Sequence, residues 1–428
     1  MRCPATPEQR SAANGSRLRG LAQQSLIVVL QRFSDQDHPW QTRVLRACAP
    51  ILRIPRSTPS VTLVTRHEDV LHILEHPESF VAPFGPRLPG DFIAGVDGPK
   101  HERYVREMRA VIRDGDPDRI RDLTTPMAED AIRRARAAGT MDVGAELVQP
   151  IYQRIIADYL GLSGLDAARL WQWTEDIFEN IFLNFANWPA IQRRADVANA
   201  QFQEQVSALI ATAKQRPGDE RFPADSVLRR MIERQSLAPS EALSDAEMAT
   251  GLIGLAIGWL WHGARTALIV VDSLLSHPRW LALARAAATA PEDDDQLRRV
   301  LWEVLRFRPV QQFIPRICEV QTAFDDRSGR PRTIRRGELV LAGTQSAMHD
   351  ARAIPSPETF DSTRADTQYL IFGWGSHACP GEPITRLQLP AMLRPLLEIE
   401  NLTRADTAAG RLTWHGPRAI GLSVAVPR

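Results

Sequence analysis

Cysteine is scarce in this chain of 428 residues: Cys3, Cys48, Cys318 and Cys379 are the only four, and they stand far apart. Without close pairs there is no zinc-binding pattern, and the density is too low for a secreted disulfide scaffold, so a reducing cytoplasm is the expected compartment. Charge imbalance is missing as well. Fifty-two basic against 51 acidic side chains leave a formal net charge of +1, which removes any global pull towards nucleic acid. No long Gly/Ser linker divides the chain, so one large unit is expected rather than two joined ones. The longest apolar stretch near the start, Leu26 to Leu30, is too short to span a bilayer and lacks a cleavage site, so the chain reads as unanchored. Internal repeats and low-complexity segments are absent.

What is present is an ordinary globular composition, 44% hydrophobic and 24% charged, enough for a core that encloses a cofactor. Residues 1–20 are polar and aperiodic and read as a loosely held arm, leaving 21–428 as the folded domain. Ser60 to Thr65 alternates at period two, as a half-buried strand does. A helical pattern starts at Glu68, and from about Asp118 to Val300 helical periods dominate, broken at Arg216-Pro217-Gly218-Asp219 and Ala290-Pro291-Glu292-Asp293. Ser244-Asp245-Ala246-Glu247 reads as a capping box, Ser at the N-cap and Glu three residues on. It opens a segment reaching Ser276 that is apolar nearly all round, the mark of a helix inside the molecule that can line a cavity. Beyond Arg316 strands and turns take over, with Thr333 to Ala342 as the plainest β stretch, before a last helix after Ile384. The fold class is mostly α with a small β subdomain.

The most informative stretch is Phe372-Gly373-Trp374-Gly375-Ser376-His377-Ala378-Cys379-Pro380-Gly381. Its glycines permit positive φ and close approach of a flat ligand, and the helix that follows aims its N-terminus at the sulfur, a setting that lowers a thiol's pKa. By itself a lone cysteine in a Gly-rich turn is most often a buried free thiol. The whole pattern, however, resembles the haem-binding loop of the cytochrome P-450 family in its bacterial form, Phe-Gly-x-Gly-x-His-x-Cys-x-Gly, met here by Phe372, Gly373, Gly375, His377, Cys379 and Gly381. Glu303-Val304-Leu305-Arg306 is similar to the family's Glu-x-x-Arg signature; Glu and Arg at i and i+3 share a helix face, which alone gives only a common ion pair. The resemblance implies that this pair is joined by a third residue, Arg364, within Phe360 to Arg364.

The resemblance spans nearly the whole chain and implies the cytochrome P-450 fold, a triangular helical prism, holding haem b with Cys379 as metal ligand. Asp97-Gly98-Pro99-Lys100-His101 looks like the start of the family's propionate-binding helix, with His101 donating to one carboxylate. Pro315-Arg316 looks like the later strand whose arginine does likewise, and a guanidinium fork suits a planar carboxylate. The family often has Arg four residues after this His; position 105 is Val, with Arg106 beside it. An axial thiolate pushes electron density onto iron and favours O–O cleavage and oxidation of unactivated C–H bonds. Pro380 has no N–H to offer the sulfur where the family often has a donor, which predicts a more electron-rich sulfur.

The family's acid–alcohol pair, which relays protons on the distal side, is missing from the long helix. Counting back from Leu274-Leu275-Ser276-His277-Pro278 puts Trp261 at the acid position and His262 at the alcohol position. A second register, Gly263-Ala264-Arg265-Thr266, offers Thr266 instead, and His262 and Thr266 share a face four residues apart. The plain alternative is that Trp259, Trp261 and His262 fill a bulky core. If His262 faces the iron, its near-neutral pKa suits proton transfer or ligation. The catalytic candidates are therefore His262, Trp261 and Thr266.

On the substrate side, Phe178, Phe182, Phe185 and Trp188 make a helical aromatic stripe that is either core or a lid over the pocket, and Phe80 to Ile93 forms a second wall. The expected activity is haem-thiolate oxidation of a small, largely apolar molecule in secondary metabolism by a cytoplasmic monomer. Electrons come from a ferredoxin or flavodoxin unless peroxide serves, and neither nucleic acid nor membrane is a partner. Two alternatives stay open: a peroxide-dependent or non-oxygenating enzyme of coupling or rearrangement type, and a haem sensor without catalysis.

Overall fold

A computed structural model of the chain describes residues 51–54, 61–85, 92–184, 187–290, 294–325, 331–415 and 418–427. The expected arm over 1–20, the stretch Leu26 to Leu30 and Phe185 lie outside the described residues. Helices dominate: α1 (His67–Glu75), α2 (Gly98–Val111), α3 (Asp116–Ala138), α4 (Gln149–Asp158), α5 (Ala167–Phe178), α6 (Pro189–Gln215), α7 (Val227–Leu237), α8 (Asp245–Ser276), α9 (Pro278–Thr289), α10 (Asp294–Phe307), α11 (Thr344–Ala347) and α12 (Glu382–Leu397). The strands are β1 (Ile51–Ile54), β2 (Val61–Val64), β3 (Phe80–Val81), β4 (Thr140–Asp142), β5 (Ile314–Cys318), β6 (Thr322–Asp325), β7 (Pro331–Ile334), β8 (Leu339–Ala342), β9 (Thr403–Arg404), β10 (Thr413–His415), β11 (Arg418–Gly421) and β12 (Ser423–Ala425). The largest sheet runs β1-β2-β8-β5-β3, with β2 and β8 parallel and the other pairs antiparallel.

Two strand expectations change. Ser60 to Thr65 contains β2, but all four of its residues are buried rather than alternating, because both faces of the strand are covered: Val61 and Leu63 pack with Phe313 and Leu341, and Val64 with Val70 and Ile73. Thr62 tolerates this because its hydroxyl donates to Glu338 at 2.8 Å. Thr333 to Ala342 is not one strand. β7 ends at Ile334 and β8 starts at Leu339 in a different sheet, and Gly337 turns the chain between them at φ +82°.

The capping box forms as the sequence predicts. The Ser244 hydroxyl accepts from Glu247 N–H at 3.3 Å, and the Glu247 carboxylate accepts from Ser244 N–H at 2.8 Å. Glu247 also accepts from Arg103 at 2.7 Å and Tyr104 at 3.0 Å, tying α8 to α2. Ser244→Ala should cost about 1 kcal/mol of stability, read as a lower urea midpoint with an unchanged m-value.

From this cap α8 continues through a π-helical segment, Gly258–Gly263, and stops at Ser276 before Pro278, which cannot extend it. It is long and apolar enough to cross a membrane, yet it is enclosed by the fold. Between Met248 and Leu274, Gly258 alone is exposed, while Ile257 and Trp259 beside it are buried. A buried helix with one open position borders an interior space, as its all-round apolarity implied.

Candidate active site

The loop before α12 is shaped by two left-handed residues, Gly373 at φ +77° and Gly375 at φ +72°, a conformation that a Cβ disfavours. A Cβ on Gly375 would also strike the carbonyl of Leu74, so the loop lies directly on the end of α1, where the Trp374 indole donates to Glu75 at 2.7 Å. Cys379 N–H donates to the Phe372 carbonyl at 2.8 Å, which closes the loop, and the Phe372 ring packs 5.3 Å from Trp302 of α10. The Cys379 thiol is accessible although it sits deep inside the fold, so it faces an internal space. Burial pushes the free thiol's pKa up. Hydrogen bonds from Gly381 and Glu382 N–H oppose that rise, and the Glu382 charge adds to it. The helix start therefore supplies the donors foreseen without by itself making a thiolate, and the sulfur has donors although Pro380 gives none.

Beside the loop, four polar side chains gather. His377 donates to Asp97 at 2.7 Å, and the His101 and His377 rings lie 4.0 Å apart. Asp97 also accepts from Ala82 N–H at 3.0 Å, so this carboxylate is spent on the loop and on Ala82 instead of capping α2. Burial works against its ionisation, but those hydrogen bonds and the Arg316 charge hold its pKa below the usual range. Arg316 on β5 is 3% exposed and donates to its neighbour's carbonyl, Pro315, at 2.9 Å; burial lowers its pKa to about 10. Burial, reinforced by the His377 and Arg316 charges, brings the buried His101 down to about 4. Arg106 is exposed on α2 and does not join them. Asp97 has a role that the sequence reading did not assign; its position at the head of α2 was the available signal.

On the far side of the loop, Glu303 and Arg306 of α10 are both 0% exposed and bonded at 2.8 and 2.9 Å. Arg364 donates to the same carboxylate at 3.2 Å, Tyr369 O–H at 3.1 Å and Asp361 N–H at 2.9 Å. Arg306 donates besides to the carbonyls of Met348, Pro357 and Thr359, so one buried network ties α10 to the segment that leads into the cysteine loop. Tyr369 is the member that motif reading missed.

The distal helix places its three candidates in different surroundings. Trp261 is 2% exposed, stacked on Phe178 of α5 at 3.4 Å with the Arg265 guanidinium 5.2 Å from its ring centroid, so it acts as a packed wall. Thr266 donates its hydroxyl proton to the His262 carbonyl at 2.7 Å, a bond within the helix. His262 lies in the π segment, half-buried by area yet deep in the molecule, and meets Phe178, Phe182 and Trp261 edge-on at 4.9, 5.9 and 5.2 Å. Burial first, then the Arg265 charge, lower its pKa to about 4. The near-neutral titration expected from an ordinary histidine is thus replaced by an imidazole that stays neutral at physiological pH. Trp259 donates to Gln388 of α12 at 3.2 Å, linking this helix to the one that follows the cysteine. Glu175 of α5 pairs with His415 at 2.8 Å and Arg418 at 3.3 Å, clasping α5 to the β10–β11 hairpin.

The sequence profile of the family described as Cytochrome P450 matches residues 296–399, which carry Glu303, Arg306, Arg364 and Cys379. Among curated proteins, the mycinamicin IV hydroxylase/epoxidase of Micromonospora griseorubida is 26% identical over 382 residues, 86% of this chain and 90% of that protein. The erythromycin C-12 hydroxylase of Saccharopolyspora erythraea is 28% identical over 352 residues, 78% of this chain and 80% of that protein. The chain belongs to the cytochrome P450 family. Its fold is the P450 fold: CalO2 superimposes with a TM-score of 0.73 at 24% identity, covering 90% of this chain and 95% of that one. P450BioI, solved with an acyl carrier protein bearing hexadec-9Z-enoic acid, superimposes at 0.76 and 20% identity, covering 92% and 99%. This P450 is accordingly an oxidoreductase of the monooxygenase class with a haem-thiolate cofactor, an enzyme rather than a sensor.

The residues present fit that cofactor. A soft thiol looks into an internal space, and coordination to iron deprotonates such a group outright. Arg316 is a buried guanidinium with no ion-pair partner among the described residues, and a buried charge of this kind calls for an anion. The carboxylates of a haem, reached by Arg316 and His101, would supply it.

Proposed function

We propose that this P450 holds haem b through Cys379 and oxidises a small, largely apolar or amphipathic organic molecule of secondary metabolism. The observation that carries the reading is the Cys379 thiol, deep yet accessible, in a loop fixed by Gly373, Gly375 and the Phe372 carbonyl. Phe372, Gly373, His377 and Gly381 shape the proximal cradle, and His101 and Arg316 hold the propionates. Glu303, Arg306 and Arg364 keep the cradle in place. When bound, haem ligated by a thiolate supplies an electron-rich iron able to drive O–O cleavage. Residues 21–428 act as one haem-binding unit and 1–20 as an arm. The enzyme works as a cytoplasmic monomer, without nucleic acid or membrane, and takes electrons from a ferredoxin or flavodoxin.

His262 is the polar group of the distal side, with Trp261 as its support and Thr266 in reserve one turn on. Neutral at physiological pH, its imidazole accepts a hydrogen bond or a proton and orients whatever lies before it. His262→Ala should lower product formed per electron consumed by about tenfold, the worth of one good buried hydrogen bond. Unchanged coupling removes His262 from the mechanism.

A second reading, peroxide use or oxidation without oxygen insertion, is favoured by one observation. Trp261 has no acid to offer, and the nearest alcohol, Thr266, commits its proton to a backbone carbonyl. Turnover with hydrogen peroxide in the absence of any redox partner, at a rate matching the ferredoxin-driven reaction, selects this reading.

A further inference from the structure

The interior face of α8 is defined by three positions one turn apart, Gly254, Gly258 and His262, which span about 12 Å at 1.5 Å per residue. At the first, the Phe92 ring lies so close that a Cβ on Gly254 would overlap it. At the second, nothing stands within 4 Å of where a Cβ on Gly258 would be, and Gly258 is exposed inside a buried helix. At the third, the His262 ring is boxed by the edges of Phe178, Phe182 and Trp261. Phe84 backs Phe182 at 4.8 Å, and Phe92 and Phe182 are both half-buried. The space beside Gly258 thus has aromatic walls at both ends, with the polar His262 imidazole at one of them.

That polar group is unfinished. The His262 imidazole makes no hydrogen bond to another described residue, and its half-buried ring borders this space, so a ligand there can complete it. Edge-on aromatic neighbours fix its plane but cannot satisfy its unprotonated nitrogen. A ligand that completes the site carries one O–H at its end, and a flat aromatic body suits walls that offer ring edges and faces. A phenolic O–H is a stronger donor than an aliphatic one and comes with such a body attached.

We propose that the substrate is a hydroxylated aromatic molecule, its ring system occupying the space in front of Gly258 between Phe92 and Phe182 and its O–H donating to the His262 imidazole. This rests on the reading that a haem held by Cys379 borders the same space. Two fused rings are shorter than the about 12 Å from Gly254 to His262 and so fit between its ends.

The test uses the full-length, haem-loaded protein and calorimetric titration with 2-naphthol, naphthalene and decahydro-2-naphthol. 2-Naphthol should bind about tenfold more tightly than either companion. His262→Phe should erase the advantage over naphthalene while leaving naphthalene affinity within about twofold, and His262→Gln, which keeps a carbonyl acceptor, should retain part of it. Equal binding of naphthol and naphthalene by the unaltered enzyme, or an advantage that survives in His262→Phe, overturns the hydrogen bond. Decahydro-2-naphthol binding as well as 2-naphthol overturns the aromatic class. The carbon monoxide difference spectrum of the same preparation separates the two readings: a missing red-shifted band defeats the haem-thiolate reading, whereas a normal band with no naphthol preference defeats only this proposal.

Discussion

Cys379→Ala should abolish the red-shifted carbon monoxide band of the reduced protein and lower oxidation of any organic substrate by about a thousandfold, ~4 kcal/mol in the barrier. The size follows from the absence of a substitute. Among the described residues the other cysteine, Cys318, is buried in β5 with its sulfur 3.2 Å from the Val320 carbonyl, and no other cluster of metal-ligating side chains occurs. Cys379→Ser keeps the position but offers a harder oxygen, so it should retain haem and lose the band. Cys379→Ala protein that keeps the band would move the iron ligand elsewhere. The Phe372 carbonyl and the two left-handed glycines do not depend on the sulfur, so the variants should fold and the comparison should isolate the ligand.

How legible the site was depends on how far each feature is fixed by backbone geometry. The cysteine loop could be read because Gly373 and Gly375 occupy conformations that few other residues accept, and such constraints leave a pattern of residue types. The long helix was equally plain, since a capping box and an all-round apolar run leave few alternatives. Thr333 to Ala342 was misread because apolar content says nothing about which sheet a strand joins, although Arg335-Arg336-Gly337-Glu338 carried the turn. The distal side was the least legible. Whether His262 or Thr266 is available depends on a π segment that sequence periodicity cannot register and on a hydroxyl that turns back to its own helix. The lowered pKa of His262 comes from enclosure by Phe178, Phe182 and Trp261, side chains up to 84 positions away from it along the chain. Asp97 went unassigned for a similar reason: an aspartate heading a helix reads as a cap, and only the fold brings His377 to it.

The Glu303 network is the second place where one side chain carries a large effect. Both Glu303 and Arg306 are fully buried, and Arg364 is 5% exposed, so removing the single carboxylate strands two guanidinium groups where water cannot reach them. Breaking one side of a buried pair costs about 3–5 kcal/mol, a large share of the 5–15 kcal/mol that stabilises an ordinary domain. Glu303→Ala should therefore cost about 5 kcal/mol or more, and Arg306→Ala should cost less, because Glu303 keeps Arg364, Tyr369 O–H and Asp361 N–H as partners. Arg306→Ala brings its own loss: the carbonyls of Met348, Pro357 and Thr359 lose their shared donor. Arg306→Lys keeps the charge but not the fork, and it should recover less than half of the loss, since a lysine cannot span Glu303 and three carbonyls together. Arg306 reaches the segment that leads into the cysteine loop, so the damage should appear first as haem loss and only then as unfolding. Haem content measured beside thermal midpoint across Glu303→Ala, Arg306→Ala and Arg306→Lys checks this order; variants that unfold while still retaining full haem would show that the network supports the helices alone and not the cradle around Cys379.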